Sequence, residues 1–346
     1  MALKASPVRF ISLLCVFLPI LAGLSPTVGA NETGPTLDIG GLLFGDLYYI
    51  PSHHLDEGDD AVGVVARRAY LTFDTDLNEN AFGRLRFEFN QSGEFKTYTF
   101  TSTVKDLYLG WKIGRHQLLA GLSPTPTFDL VESTWGARYL ARTPMDIQGF
   151  ASRDTGIALR GPLTASGNIS YRSMLGSGIE FGADSANSAK WMAAVTFKPA
   201  TGWMLDVYAD FEDLRGPDHR LTLQAFAAYQ TDSILWGLQY TNQSREGDDA
   251  VELASVFAVK TVNERIDLIG RVDHLFEPSI RGDDIAYLPI DPSAQATMLI
   301  AGVKFKLDPH WSITPNTVVT YYGHDDQGNR PETDVYLRIT LFANYE

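Results

Sequence analysis

The chain predicts an all-β fold, a sixteen-stranded antiparallel transmembrane β-barrel with short periplasmic turns and long external loops. Three observations carry this expectation. In the closing stretch Asp334–Glu346, Leu337, Ile339, Leu341, Ala343 and Tyr345 fall on one strand face. Tyr336, Arg338, Thr340 and Asn344 fall on the other, a period of two that gives lipid one face and the lumen the other. The same pattern recurs back to Leu37, and the connections between its repeats alternate between short and long.

Residues 1–30 read as a segment removed before folding. Lys4 and Arg9 precede an apolar run from Phe10 to Leu24, followed by Val28-Gly29-Ala30. This is the layout of a secretory signal peptide cleaved near Ala30, so the barrel is assigned to 31–346. The run is broken by Pro19 and falls short of the roughly twenty residues that a spanning helix needs. The single cysteine, Cys15, lies in it, so the expected mature chain holds neither disulfide nor thiolate site.

Strands are predicted near 37–50, 64–75, 82–90, 104–113, 117–123, 154–161, 167–175 and 190–198. The other eight lie near 202–211, 220–230, 233–243, 250–261, 264–274, 296–307, 311–322 and 333–345. Alternation is cleanest in Arg84–Asn90, Asp106–Lys112 and Trp203–Phe211. Short connections include Gly114-Arg-His116, Lys198-Pro-Ala-Thr201, Thr231-Asp232 and Leu307-Asp-Pro-His310. The long ones are 51–63, 91–103, 124–153, 176–189, 212–219, 244–249, 275–295 and 323–332. This two-sidedness marks outer-membrane barrels, and an even strand count puts both chain ends on the short-turn side. Trp111, Trp191, Trp203, Trp236, Trp311 and Tyr345 sit near strand ends, where an interfacial girdle wants them. A soluble jelly roll or β-helix would bury such residues centrally.

Several segments resemble the phosphate-selective porin O/P family. They are Gly45-Asp-Leu-Tyr-Tyr49, Arg67-Arg-Ala-Tyr-Leu71, Phe82–Phe89 and Asp106-Leu-Tyr-Leu-Gly-Trp111. Leu119–Phe128 is similar to that family's strand entering its third external loop. Arg138–Pro144 and Arg153-Asp-Thr-Gly-Ile157 are similar to the exit from that loop. The resemblance covers 40–165 and is only architectural beyond. It implies sixteen strands and a homotrimer. One departure is that Glu346 follows the terminal aromatic Tyr345.

The whole chain has 28 basic and 42 acidic side chains, and losing Lys4 and Arg9 leaves 26 basic ones. That balance argues against nucleic acid. The acids concentrate on the long loops, as in Asp56, Glu57, Asp59, Asp60, Asp248, Asp249, Asp283, Asp284, Asp325 and Asp326. Lumen-facing strand positions reverse the sign. Fifteen are basic: Arg68, Arg84, Arg86, Lys112, Arg160, Arg172, Lys190, Lys198, Arg220, Lys260, Arg265, Arg271, Lys304, Lys306 and Arg338. Eight are acidic: Asp74, Glu88, Asp106, Asp206, Asp210, Glu252, Asp267 and Asp273. Such an excess inside a water-filled tube concentrates anions, although the charges can also simply pair off.

The 124–153 connection is expected to fold inward and narrow the pore. Its Arg138 and Arg142 suit an oxyanion such as phosphate. Arg142 serves equally well as a tether to the barrel wall, and Arg153 is read mainly as one, through Asp146 or Asp154. The pair His53-His54 stands among acids and could hold a metal, but is read as a solvated loop pair. No Gly-x-Ser-x-Gly accompanies the histidines, so no hydrolase, no cofactor and no metal is expected.

The functional expectation is an outer-membrane porin passing small hydrophilic solutes passively, with a weak preference for anions, phosphate or another oxyanion among them. Its expected surroundings are outer-membrane lipid and lipopolysaccharide, whose divalent cations the acidic loops would gather. The rival reading is a non-specific general-diffusion pore, or a structural or adhesive barrel whose pore is incidental.

Overall fold

The computed structural model describes residues 34–91, 100–150, 152–178, 188–213, 219–245 and 250–345. The leading segment with its cleavage point, and parts of the long connections after 91, 178, 213 and 245, lie outside the described residues. Sixteen strands form one antiparallel sheet that closes on itself. They are β1 (Thr36–Ser52), β2 (Ala61–Asp76), β3 (Ala81–Gln91), β4 (Phe100–Ile113), β5 (His116–Pro124) and β6 (Arg153–Pro162). Next come β7 (Ile169–Gly176), β8 (Ala189–Phe197), β9 (Trp203–Asp213), β10 (Arg220–Gln230) and β11 (Ile234–Arg245). The last five are β12 (Val251–Asn263), β13 (Ile266–Leu275), β14 (Ala296–Lys306), β15 (Trp311–Tyr322) and β16 (Asp334–Asn344).

Every strand pairs with its sequence neighbours, and β1 meets β16 with Gly45 opposite Leu341. Closure leaves no sheet edge, which is the condition for a sheet to stand in lipid. Short turns carry their own chemistry. The Asp308 carboxylate accepts the backbone N–H of His310 and of Trp311, and Thr231 Oγ1 accepts that of Ile234. Gly114 and Gly202 take positive φ in two others, where a side chain would be strained.

The alternation falls as expected. Leu107, Leu109, Leu205 and Val207 are exposed on the outer face, while Asp106 and Asp206 are buried inside. Trp191, Trp203, Trp311 and Tyr345 are also exposed, and Trp203 packs edge-on against Trp236 at a strand end. Two positions depart. Along β12, Leu253, Ser255 and Phe257 are buried, so Lys260 shares the parity of exposed Val256 and points outward. Glu252 shares it too, accepting a hydrogen bond from exposed Tyr240. The expectation for these two was one residue out of phase.

Two bulges break the strict period. Between β1 and β2, Phe44 faces Arg68 and Asp46 faces Val65, so β2 carries an extra residue. Gly45 lies at this point, and a Cβ there would come within 2.4 Å of the Val65 carbonyl oxygen. Between β3 and β4, Arg86 faces Asp106 and Phe87 faces Val104, leaving Lys105 as the extra residue. A bulge turns neighbouring side chains to the same side.

The barrel is filled in part by two connections. The first runs from β5 to β6 and carries α1 (Pro126–Trp135) and α2 (Pro144–Ile147). The other is the 276–295 segment between β13 and β14, which includes a short 3-10 turn at Gly282–Asp284. Trp135, Leu140 and Ile147 from the first, and Ile285, Leu288 and Ile290 from the other, are buried. Trp135 packs edge-on against Phe257 of the wall at 5.1 Å, and Tyr139 leans on Phe342 at 4.8 Å. Burying these side chains supplies the attraction that holds polar chain inside the tube.

Candidate functional site

An inserted loop brings backbone carbonyls into a confined space, and each one needs a donor. Arginines of the wall supply them. Arg67 donates to the carbonyls of Tyr139 and Leu140, Arg172 to Pro126, Arg271 to Arg142, and Arg338 to Tyr287. The rigid five-donor fork of guanidinium suits this task, since spare N–H groups remain for carboxylates. Arg67 also meets Asp46 at 2.6 Å, Arg172 meets Asp206 at 2.8 Å and Arg271 meets Asp273 at 2.6 Å. Part of the basic excess therefore holds the inserted segments in place.

Ion pairs take up much of the rest. Arg84 lies 2.6 Å from Asp74, Arg86 lies 3.6 Å from Asp106, and Lys306 lies 2.8 Å from Asp267. Arg68 lies 3.6 Å from Glu88, Lys112 lies 3.7 Å from Asp76, and Arg160 lies 3.8 Å from Asp129. Among the described residues, Lys198, Arg220, Lys260, Arg265, Lys304 and Arg338 have no carboxylate within ion-pair reach. Lys304 instead rests over the rings of Tyr139 and Phe342, and Arg338 over Tyr336.

One place concentrates positive charge. Arg67 and Arg68 of β2 meet Arg138 and Arg142 of the first inserted segment around a cavity of about 20 Å³. Phe44, Ile285, Tyr287 and Leu288 are among its other lining residues. That volume holds about one water-sized occupant. Arg138 is held by Asp146 at 2.6 Å and Glu132 at 3.2 Å. Burial disfavours its charge, yet those two carboxylates keep its pKa well above the ordinary value. Burial works the other way on Asp146, but Arg138 and Arg142 hold it well below the usual carboxylate range. Arg142 is more weakly held. It approaches Asp146 at 3.8 Å, and its buried Nη2 has no hydrogen-bond partner. Burial, then repulsion from Arg138 and Arg68, lowers its pKa.

The Arg142 side chain thus faces the cavity and braces its own segment through Asp146, while only its backbone carbonyl is tied to the wall, by Arg271. Arg153 is a tether, as read from the sequence, but its partner is Asp106 of β4 at 2.6 Å rather than Asp146 or Asp154. Asp154 instead accepts hydrogen bonds from Ser177 and Gly178. A wider space of about 610 Å³ opens towards the short turns, lined by Arg115, Gln117, Arg160, Tyr171 and Arg172 among others. Basic side chains therefore stand between the inserted segments and on their short-turn side.

Three contributors were not legible in the period-two pattern. Arg67 and Lys105, which lies 3.9 Å from Glu88, sit at the two bulges, where odd and even positions both turn inward. Tyr287 reaches the site from the 276–295 segment, which reads as an ordinary long loop. The Gly in Gly45-Asp46 is the one sequence signal that points to the first bulge. The reading of His53-His54 as a solvated pair is also corrected. Both side chains are buried against the β15–β16 wall by Tyr336, Tyr322 and Asp334.

No protein-family model matches the chain, and no curated protein matches it in sequence. Solved structures do match its shape. The anion-selective porin from Comamonas acidovorans superposes with a TM-score of 0.67 at 12% identity, over 90% of this chain and 100% of that one. The outer-membrane channel DcaP of Acinetobacter baumannii gives 0.63 at 13% identity, over 91% and 99%. In-vitro folded OmpT of Vibrio cholerae in a trimer form gives 0.60 at 13%, over 90% and 100%. The fold is that of the sixteen-stranded porins. At these identities the likeness speaks for the architecture, and the resemblance to the O/P family rests on the sequence motifs between residues 40 and 165.

Proposed function

We propose that the chain is an outer-membrane porin, a passive channel for small hydrophilic solutes with a weak preference for anions. The leading segment is taken as a signal peptide removed near Ala30, and the exposed band of Leu, Val and Trp as the lipid-facing surface. The observation that carries the anion preference is the meeting of Arg67, Arg68, Arg138 and Arg142 around one cavity between the inserted segments. Asp46, Glu88, Glu132 and Asp146 oppose them there. The balance explains why the preference is weak: four guanidiniums face four carboxylates, with Lys105 beside Glu88 as the surplus.

The pair Arg138 and Arg142 has the donor chemistry for an oxyanion such as phosphate, since the buried Arg142 Nη2 has no hydrogen-bond partner, while the cavity beside it is only water-sized. Arg68, Arg84, Arg86, Lys112, Arg160, Arg172, Lys304, Lys306 and Arg338 are assigned to the path above and below. A homotrimer in outer-membrane lipid and lipopolysaccharide completes the reading, supported by the trimer form of the OmpT structure. Insertion of the purified chain into a planar bilayer tests it. Stepwise, ohmic conductance is expected, whereas a silent bilayer with folded barrel incorporated would favour a structural or adhesive role.

A further inference from the structure

We propose that His54 is a proton-operated clamp that holds the 276–295 segment inside the barrel. The ring sits between two carboxylates on different elements. His54 Nδ1 lies 2.8 Å from Asp334 Oδ1 of β16, and Nε2 lies 3.0 Å from Asp283 Oδ1 of the inserted segment. A carboxylate is an acceptor, so both contacts are hydrogen bonds only when both ring nitrogens carry protons. The neutral ring must present a lone pair to one carboxylate, and that contact becomes repulsive.

Which contact yields follows from burial. The Asp334 side chain is fully buried and also accepts from the His54 backbone N–H and the Tyr322 hydroxyl. The Asp283 side chain is half exposed, so water can replace His54 there. Loss of the proton therefore frees Asp283 and keeps Asp334 in place.

The surroundings bear on the same proton from every side. Asp334 and Tyr336 come from β16, Tyr322 from β15, Asp283 from the segment, and His53 and Asp59 from the chain around His54. His53 accepts the Leu55 N–H at Nδ1 and meets the Tyr336 hydroxyl through Nε2, the pattern of a neutral ring. Burial pushes its pKa down. Burial opposes the charge on His54 as well, but the hydrogen bonds to Asp334 and Asp283 outweigh it and raise its pKa above 6.5. The sign follows: the clamp is complete below the ordinary histidine range and is lost as pH rises through the raised value.

His53, His54 and Asp334 offer ligand atoms within 4.8 Å of one another. In this arrangement their nitrogens are engaged otherwise: His53 Nδ1 accepts the Leu55 N–H, His53 Nε2 meets the Tyr336 hydroxyl, and both His54 nitrogens meet carboxylates.

The clamp matters because of what the segment carries. Ile285, Tyr287 and Leu288 line the four-arginine cavity, Ser279 donates to Gln148 of the first inserted segment, and Tyr287 accepts from Arg338. Releasing Asp283 loosens one wall of that cavity, whichever solute passes it.

A single cysteine at buried Leu288 (Leu288→Cys) in the otherwise cysteine-free mature chain tests this in the folded, membrane-inserted protein. Its labelling by a water-soluble thiol reagent is divided by that of Gln327→Cys, an exposed reference that cancels thiol ionisation. The corrected rate is expected to rise by up to about tenfold per pH unit as one proton leaves, then level off. Adding Asp283→Ala, which removes the acceptor at a half-exposed side chain, should give the high rate at every pH. Ser279→Cys, buried on the same segment, repeats the comparison in case Leu288→Cys itself loosens the packing. A corrected rate flat with pH at both reporters, or an Asp283→Ala protein that keeps the parent's pH profile, would overturn the clamp.

Discussion

Arg271 of the barrel wall donates to the backbone carbonyl of Arg142 at 2.7 Å, so one arginine fixes the position of another. The same guanidinium pairs with Asp273 and lies over the Trp135 ring at 4.9 Å. Wall, inserted segment and cavity charge thus share one side chain. Replacing Arg271 with Ala leaves Asp273 buried without its cation, which costs about 3–5 kcal/mol. A lower denaturation midpoint and noisier single-channel current are expected. Unchanged stability together with quiet current would show that the segment is held elsewhere.

The bulge at Gly45 makes a sharper structural claim. A side chain there meets the Val65 carbonyl, so Gly45→Val must push β2 away or remove the bulge. Either response swings Arg67 off Asp46 and off the Tyr139 carbonyl. A loss of about 1–3 kcal/mol is expected from the overpacking alone, read as a fall in the melting temperature of the folded barrel. A variant as stable as the parent would mean that the bulge does not depend on this glycine.

Face assignment is tested by labelling. A cysteine at Arg160, which lines the wider space, should be reached from water, and one at Leu159 should be shielded by lipid. Arginine at Leu107 should cost roughly 2–4 kcal/mol if that site lies near the bilayer midplane. Labelling at Leu159 with none at Arg160 would put the whole register one residue out.

Assembly should depend on Tyr345. Its backbone N–H donates to Gly41 across the β1–β16 seam at 2.9 Å, and its exposed ring stands at the end of the outer face. Tyr345→Ala is expected to yield less heat-modifiable barrel than deletion of Glu346. Equal yields would remove the aromatic from the assembly signal.

The barrel was legible because its governing rule is local: a period of two, interrupted by turn residues, needs no knowledge of distant contacts. Lys260 and Glu252 were misplaced because β12 carries apolar residues on both parities near its ends, which blurs the phase. Arg67 and Lys105 escaped because a bulge is decided by the pairing of two strands, not by either one. The inserted segments were half legible. The one between β5 and β6 announces itself by its length and by the Arg138–Arg142 pair. The 276–295 segment has the composition of an acidic loop, and its burial follows from Ile285, Leu288 and Ile290 meeting a surface that 124–150 creates. Nothing near the His53-His54 pair in the sequence signals its burial, since its partners Asp283, Tyr322 and Asp334 lie more than two hundred residues away.

The claim that the arginine cluster sets a weak anion preference stands or falls on charge selectivity. External loop acids act through water, where screening at physiological salt reaches about 8 Å, so the confined cluster should dominate. The decisive measurement is the reversal potential of the reconstituted channel under a salt gradient. The account predicts a modest anion preference in dilute salt that fades as ionic strength rises, and a shift towards cations in Arg138→Ala/Arg142→Ala with conductance retained. A channel that is cation-selective from the outset, or a double variant with an unmoved reversal potential, would contradict it.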